Sequence, residues 1–277
     1  MRGLLRSLFN PRQSEPDPLV SYERDGWAVH RGVIDVDLIE EARRHIGWLQ
    51  GRHPTVRPES LGHTLMTNDP FWVRLVADHS LLDIAEQFIG PNIALFASAY
   101  ICKPPHDGQP VLWHQDGSYW PLNPMQVVSL WLALDDSTPE NGCMRVIPRS
   151  HKSELGRLLP RTDIPNVLLS GMDESRFDPG EATDVVLRAG DVSIHHPNIV
   201  HGSDPNYSDH RRCGLTIRYI PTTTRILTDD ERPFPSAFLL RGNPMREINR
   251  YNPWPQFDPG RHMWFRGCET FGRGRAH

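Results

Sequence analysis

The stretch Val127-Val128-Ser129-Leu130-Trp131-Leu132-Ala133-Leu134 lies near the middle of the chain and alternates between two sets of side chains. A period of two is that of a β-strand, in which successive side chains point to opposite faces of a sheet. The segment that follows, 135–142, is rich in Asp, Ser, Pro, Asn and Gly, which are turn-forming residues. The pattern predicts a strand that ends in a tight loop.

Similar short runs of strand-forming residues lie on both sides of this stretch, and prolines and glycines separate them. We predict further strands at 92–103, 111–116, 143–147, 185–187, 192–195 and 214–220. Short strands divided by Gly/Pro turns are typical of a β-sandwich or jelly roll.

Helical periodicity precedes the strands. Leu38, Ala42, Ile46 and Leu49 recur at helical spacing and predict a helix over 35–49, with Asp37 and Glu40 resembling a capping box. A second helix is predicted over 71–88, ended by Gly90-Pro91. Residues 1–17 are polar and contain proline, so we expect a flexible tail. The chain shows no internal repeat or linker, and 18–277 is predicted to form one domain.

The composition restricts the partners and the compartment. The 277 residues carry a net charge of −4 without a basic stripe, which argues against binding to nucleic acid and to membrane surfaces. No run approaches the roughly 18 apolar residues of a transmembrane helix. The four cysteines form no CxxC pair and are sparse, which favours a reducing cytoplasm. The oligomeric state is not predicted.

The tripeptide His114-Gln115-Asp116 can bring an imidazole and a carboxylate together, because residues i and i+2 of a strand share a face. A third histidine would complete a set of two histidines and one carboxylate. Such a set holds non-heme Fe(II) and leaves coordination positions open. His195, His196 and His201 are the candidates, and the local chemistry does not decide among them.

Arg212 lies eleven residues after His201 and can return on a neighbouring strand. A guanidinium binds a carboxylate through two parallel hydrogen bonds, so Arg212 can hold the far carboxylate of a dicarboxylic acid whose near end chelates iron. If its strand is unbroken, Arg212, Thr216 and Arg218 share a face. Arg218 is therefore an alternative carboxylate anchor or a substrate contact.

Five ordered motifs together resemble a known family. They are Trp113–Asp116, Ser129–Trp131, Glu140–Cys143 with Ile147–His151, Gly190-Asp191, and His201–Ser203 continuing to Arg212. Over roughly Tyr22 to Pro221 the chain resembles the phytanoyl-CoA dioxygenase (PhyH) family of Fe(II)/2-oxoglutarate oxygenases. Arg149 departs from the pattern, since the family more often has Gly there.

The resemblance implies a fold and a set of site residues. The expected fold is mainly β with flanking helices (α+β), namely a double-stranded β-helix (jelly-roll, cupin-like) core with N-terminal helices. The family's third metal ligand sits in the segment that begins at His201, so the expected metal set is His114, Asp116 and His201. Arg212 becomes the expected 2-oxoglutarate anchor with Ser203 beside it. Gln115, Trp131 and Lys103 fall at positions that line the co-substrate pocket in relatives.

The resemblance also implies a dioxygenase that uses Fe(II), 2-oxoglutarate and O2 and releases succinate and CO2. Related halogenases have Gly or Ala at the position of Asp116, so hydroxylation, or a related oxidation such as desaturation or ring formation, is favoured here. Tyr119 and Trp120 are expected to border the substrate. A small natural-product scaffold or an amino-acid-like molecule fits better than a CoA thioester, for which no basic patch is visible.

Two other functions are compatible with parts of this pattern. One is a metal-dependent enzyme of the same fold that does not use 2-oxoglutarate, such as an isomerase or hydrolase, and Arg212 and Ser203 argue against it. The other is a catalytically silent small-molecule binding protein, against which the complete ligand set argues.

Overall fold

The computed structural model describes residues 17–228 and 237–272. The predicted tail therefore lies outside the described residues except for Asp17. The Asp17 side chain accepts a hydrogen bond from the Leu19 backbone N–H and caps the first helix.

Helices come first in the chain and strands follow. The helices are α1 (Pro18–Asp25), α2 (Val36–Arg52), α3 (Pro70–Val76) and α4 (His79–Ile89). The strands are β1 (Trp27–His30), β2 (Leu61–Gly62), β3 (Ile93–Lys103), β4 (Val111–His114), β5 (Leu122–Asn123), β6 (Val128–Ala133), β7 (Met144–Val146), β8 (Leu158–Pro160), β9 (Ser170–Met172), β10 (Thr183–Val185), β11 (Val192–His195), β12 (His201–Ser203), β13 (Arg212–Pro221), β14 (Arg225–Ile226) and β15 (Phe238–Arg241).

Two antiparallel sheets form the core. The major sheet has the order β1-β11-β6-β13-β3-β15, with β2 also paired to β3, and the minor sheet has the order β10-β7-β12-β4. Helices α2, α3 and α4 contribute to the same buried cluster as one face of the major sheet. This arrangement confirms the predicted mainly-β fold with flanking N-terminal helices.

The two faces of β6 are buried against different parts of the molecule. Val128, Leu130 and Leu132 join the cluster that the helices build. Trp131 and Ala133 pack in another cluster with residues of the minor sheet. The predicted alternation is confirmed, and it directs one face of the central strand towards the space between the sheets.

The prediction of one helix over 71–88 is wrong. Helix α3 ends at Val76, and a separate helix, α4, begins at His79. The Asp78 side chain caps α4 by accepting a hydrogen bond from the Ser80 backbone N–H. The predicted capping box of Asp37 and Glu40 is also wrong. The N-cap of α2 is Asp35, whose side chain accepts a hydrogen bond from the Leu38 backbone N–H. Gly90, at φ 79°, ends α4 as predicted.

Cys102 and Cys213 lie directly opposite each other on β3 and β13 and form a disulfide. The sparse cysteines alone did not predict this pairing, and the cytoplasmic compartment stays a prediction. Cys143 and Cys268 are buried and free. Within the described residues, no helix is both long and apolar enough to cross a bilayer.

The aromatic C-terminal stretch packs against the helical side of the core. Trp254 and Phe265 are buried in the cluster that includes α2 and α3, and the Trp254 indole N–H donates to the Leu239 backbone carbonyl. This stretch therefore covers the face of the major sheet that points away from the predicted metal ligands.

Candidate active site

The tripeptide 114–116 leaves the minor sheet at its first residue. β4 ends at His114, and Asp116 starts a short 3-10 turn, Asp116–Ser118, so the prediction of a strand through Asp116 is wrong. Gln115 nevertheless has extended backbone angles, φ −117° and ψ 122°. Because one extended residue separates them, His114 and Asp116 still project to the same side.

His201 completes the set from the adjacent strand. It lies opposite His114 in the antiparallel pairing of β12 with β4. One possible ligand atom from each of His114, Asp116 and His201 lies within 4.8 Å of the others, and all three residues are buried. His196 points elsewhere, since its Nδ1 accepts from the Asn198 backbone N–H. The structure thus brings together the three residues that the sequence predicts.

Backbone carbonyls orient both imidazoles. His114 Nδ1 lies 2.8 Å from the Leu112 oxygen, and His201 Nδ1 lies 3.1 Å from the Ile199 oxygen. These contacts favour the tautomer with the proton on Nδ1, which leaves Nε2 of each ring as a lone-pair donor. Burial, with His114 nearby, also holds the pKa of His201 well below its usual value, so the ring stays neutral.

Asp116 is held as a carboxylate. Burial alone would raise its pKa, but the Arg218 guanidinium and the contacts with His114 and His195 outweigh burial, and the pKa lies well below its usual value. Arg218 Nη2 lies 3.9 Å from Asp116 Oδ2, and His195 Nε2 lies 3.5 Å from the same oxygen. Two imidazoles and one carboxylate are the donor set that suits Fe(II).

These side chains open onto a cavity between the two sheets. Four other predicted site residues line it: Trp131, Ser203, Arg212 and Arg218. Four do not, namely Lys103, Gln115, Tyr119 and Trp120. The remaining walls are Ile101, Val111, Met144, Leu168, His195, Gly202 and Thr216.

Arg212 is buried at the cavity wall without a compensating carboxylate among the described residues. It is 2% exposed, its guanidinium lies 4.6 Å from the Trp131 ring centre, and its Nε lies 3.5 Å from the Ser137 hydroxyl. Burial lowers its pKa to about 10, which still leaves it charged at neutral pH. A buried cation of this kind is costly unless an anion pairs with it.

Lys103 lies behind the cavity wall. It is opposite Arg212 in the pairing of β13 with β3, and its Nζ donates to the Ser203 hydroxyl at 2.7 Å and to the Asp204 backbone carbonyl. Burial, together with Arg212, lowers the pKa of Lys103 to about 6. Lys103 therefore contacts the cavity through Ser203, whose own O–H is left to donate elsewhere.

The Gln115 side chain points to the opposite side from those of His114 and Asp116. Its Nε2 donates to the Asn198 carbonyl at 2.6 Å, and its Oε1 accepts from the Gly156 backbone N–H at 2.6 Å. The expectation that Gln115 lines the co-substrate pocket is wrong for this chain. Successive side chains of an extended segment point to opposite sides, so the geometry that places His114 and Asp116 on one side places Gln115 on the other. Its contacts instead fix the loops on either side of the tripeptide.

Tyr119 and Trp120 lie beside the site and not in its wall. The Tyr119 ring centre is 5.9 Å from that of His114, and its hydroxyl contacts the Ser170 hydroxyl at 2.6 Å. Trp120 packs edge-on against Phe96, and the Arg218 guanidinium lies 5.5 Å from its ring centre. Arg218 therefore lines the cavity, and Trp120 lies behind it.

Sequence reasoning ranked His195 only as a rival ligand. The structure places it at the cavity wall with its ring centre 4.8 Å from that of His201. Its position opposite Ser129, on the inward face of β6, is the signal that could have assigned it there. The apolar wall residues carried no signal of their own, because the major sheet, the minor sheet and a loop each contribute some of them.

Comparisons with known proteins agree with this geometry. The profile of the phytanoyl-CoA dioxygenase (PhyH) family matches residues 22–214, and the chain belongs to this family. A probable alpha-ketoglutarate-dependent hypophosphite dioxygenase of Stutzerimonas stutzeri is 34% identical over 52% of this chain and 51% of its own length. Phytanoyl-CoA dioxygenase domain-containing protein 1 of Bos taurus is 32% identical over 64% of this chain and 65% of its own length. The chain thus matches about half to two thirds of these relatives.

Solved structures share the fold. The non-heme monooxygenase ThoJ, without bound groups, has a TM-score of 0.73 at 23% identity over 87% of this chain and 89% of its own. EctD from S. alaskensis, solved with 2-oxoglutarate and 5-hydroxyectoine, has a TM-score of 0.62 at 21% identity over 85% of this chain and 86% of its own. At these identities the likeness establishes the fold and leaves the substrate open.

Proposed function

We propose that this protein is an Fe(II)- and 2-oxoglutarate-dependent dioxygenase that hydroxylates, or otherwise oxidises, a small molecule. Family membership and the buried set of two histidines and one carboxylate support the reaction class. The observation that carries the proposal is Arg212, a buried guanidinium that faces the same cavity as the metal ligands and lacks a carboxylate partner among the described residues.

The argument from Arg212 is energetic. A cation taken out of water is stabilised in a protein when it pairs with an anion through good hydrogen bonds. A dicarboxylate can satisfy both ends of this cavity, with one carboxylate on Arg212 and the 2-oxo acid end on the metal. The need of Arg212 for an anionic partner distinguishes the proposed function from that of a metal enzyme of the same fold that uses no 2-oxo acid.

One group of residues would bind the metal, and a second group would bind the co-substrate. His114, Asp116 and His201 would hold Fe(II), which when bound would supply O2 activation coupled to conversion of 2-oxoglutarate to succinate and CO2. Arg212 and the Ser203 hydroxyl would bind the far carboxylate, and the Trp131 ring would exclude water from it. Lys103 would position Ser203, and Gln115 would position the loop that carries Asp116.

Asp116 also favours hydroxylation or a related oxidation over halogenation, because the carboxylate fills the position that a halide would need. We further propose that the protein works in the cytoplasm on small-molecule metabolites. The Cys102–Cys213 bond is compatible with a reducing compartment because both residues are 0% exposed, and thiol exchange requires access to the sulfur.

Binding of the co-substrate tests the proposal directly. Without oxygen, Fe(II) and 2-oxoglutarate added to the folded protein should produce the weak visible charge-transfer band of the chelate. Arg212→Gln should weaken 2-oxoglutarate binding at least tenfold, a loss of about 1.4 kcal/mol, while metal affinity changes less than twofold. Absence of the band in wild-type protein that binds the metal would refute the proposal.

The neighbouring Arg211 provides a matched control. Its guanidinium pairs with Asp135 outside the cavity, so Arg211→Gln removes the same charge one residue away and should leave the band unchanged. Equal losses in the Arg211 and Arg212 variants would mean that general charge, and not a specific anchor, explains co-substrate binding.

A further inference from the structure

We infer that the primary substrate carries an anionic group, and that Arg218 binds this group. The inference rests on the proposed function and names the substrate class for the same site. A carboxylate, a phosphonate or a phosphate ester would meet the requirement, since each offers two oxygens to a guanidinium.

Arg218 has unused hydrogen-bonding capacity at the cavity. Its Nη1 donates to the Thr216 hydroxyl at 2.6 Å, while Nη2 is 3.9 Å from Asp116, too long for a hydrogen bond. Its Nε–H is buried and has no partner. A guanidinium carries five N–H donors, and leaving a buried donor unpaired is destabilising. The arrangement is therefore incomplete without an acceptor.

The position of Arg218 separates it from the co-substrate anchor. Arg212 and Arg218 share the inward face of β13, and six residues of strand place their Cα atoms about 20 Å apart. Arg212 lies against Trp131, whereas Arg218 is paired with Ser129 and lies beside Asp116. One arginine therefore serves the far end of the cavity, and the other is next to the metal ligands.

Charge balance points the same way. With Fe(II) and the 2-oxoglutarate dianion bound, the positive charges of the metal and Arg212 equal the negative charges of Asp116 and the two carboxylates. Arg218 is then the remaining positive charge of the cavity wall, because Lys103 has a pKa of about 6 and lies behind it. One anionic group on the substrate would neutralise the site.

The cavity wall describes the rest of the substrate. Ile101, Val111, Met144 and Leu168 present apolar side chains, so a small molecule with an apolar body and one anionic end fits the lining. The Trp120 ring behind Arg218 holds the guanidinium in place by a cation–π contact. The Arg218 guanidinium is therefore held in one orientation, as the binding of an oxyanion by its N–H groups requires.

A pair of probes that differ in charge tests the inference. Methylphosphonate and its neutral dimethyl ester are titrated calorimetrically into oxygen-free protein loaded with Fe(II) and saturating 2-oxoglutarate, and the visible band reports that 2-oxoglutarate stays bound. Wild-type protein should bind the anion at least tenfold more tightly than the ester. Arg218→Gln should remove this preference, and Arg218→Lys should restore part of it.

Arg52 supplies the matched control, since its guanidinium also lies over a tryptophan, 5.0 Å from the Trp48 ring centre, but on α2. Arg52→Gln should bind methylphosphonate as wild type does.

Retention of the anion preference in Arg218→Gln, or no preference in wild-type protein, would overturn the inference. Loss of the 2-oxoglutarate band in Arg218→Gln would also overturn it, by making Arg218 the co-substrate anchor. Absence of the band in wild-type protein would instead refute the proposed function.

Discussion

At the scale of single residues, two basic side chains are buried beside the site before any ligand binds. Arg212 is 2% exposed and Lys103 is 0% exposed, and they lie opposite each other on β13 and β3. Burial and the nearby Arg212 lower the pKa of Lys103 to about 6, so Arg212 is the one of the two that stays charged at neutral pH.

Lys103 makes stability depend on pH in a defined direction. Its pKa is about 6 in the folded protein and near 10.4 in an unfolded chain, so the unfolded state holds one more proton between these values. The cost of burying Lys103 is therefore complete below about pH 6 and declines as the pH rises. Stability should rise from pH 7 to 9 by up to about 1.4 kcal/mol per unit from this residue.

Urea unfolding of wild type and Lys103→Met measures this contribution. The free-energy difference between the two proteins should shift in favour of wild type with increasing pH, because methionine is unbranched, matches the lysine chain up to Cε and does not titrate. A difference that stays constant from pH 7 to 9 would show that Lys103 is charged in the folded protein.

Under the proposed function, metal binding and chemistry both depend on Asp116. Asp116→Ala removes the carboxylate and leaves Arg218 and His195 without their shared partner. We expect loss of substrate-dependent succinate formation, by at least a hundredfold, and weaker metal binding in equilibrium dialysis. Wild-type rates of succinate formation in Asp116→Ala would contradict the assignment of Asp116 as a ligand.

At the scale of elements, β13 organises the cavity through its period of two. Arg212, Gly214, Thr216 and Arg218 occupy one face, and the strand is continuous until an irregularity after Arg218. Gly214 is needed because the Trp131 indole lies against it. A Cβ there would lie 2.1 Å from Trp131 Cζ2, well inside contact distance.

Gly214→Ala should therefore displace Trp131 and disturb the Arg212 guanidinium that stacks on it. We expect 2-oxoglutarate affinity to fall about tenfold, or about 1.4 kcal/mol, in band titrations, with the protein still folded. Gly47→Ala is the control, because Gly47 is exposed in α2 and has nothing within 4 Å of the added methyl. That variant should keep its affinity and gain about 0.5–1 kcal/mol of stability. Unchanged affinity in Gly214→Ala would show that Trp131 does not support the anchor.

At the scale of the whole molecule, the site joins the two sheets. His114 and His201 belong to the minor sheet, whereas Arg212, Arg218 and His195 belong to the major sheet. A metal that binds the folded protein but not the unfolded chain stabilises the fold by mass action. Binding at this position should therefore stabilise the packing of one sheet on the other.

Thermal unfolding with and without Fe(II), under anaerobic conditions, measures this coupling. At a metal concentration 100 times the Kd, stabilisation is about 2.7 kcal/mol, which corresponds to a rise in Tm of about 5–10 °C for a chain of this size. His201→Gln should abolish most of the rise, and His196→Gln, which changes a neighbouring histidine outside the ligand set, should retain it. A rise that survives in His201→Gln would place the metal elsewhere.

The sequence by itself predicted the long strands β3, β6 and β13, and its motifs pointed to the family. Alternation in 127–134 predicted a strand, and the spacing of His114 and Asp116 predicted two candidate ligands on one side, because both depend on local periodicity. It predicted the wrong helix boundary at 77–78 and the wrong direction for Gln115, because caps and loop contacts compete with periodicity at those positions.

Only the tertiary structure decided which charges lack partners. Arg212 and Arg218 are two of many arginines in the sequence, and nothing local distinguishes them from surface residues. Packing of the two sheets removed Arg212 from water without supplying a carboxylate, and it set Arg218 beside Asp116 with an unpaired Nε–H. Burial and pairing depend on residues distant in the chain, and the space between the sheets therefore defined what the site can bind.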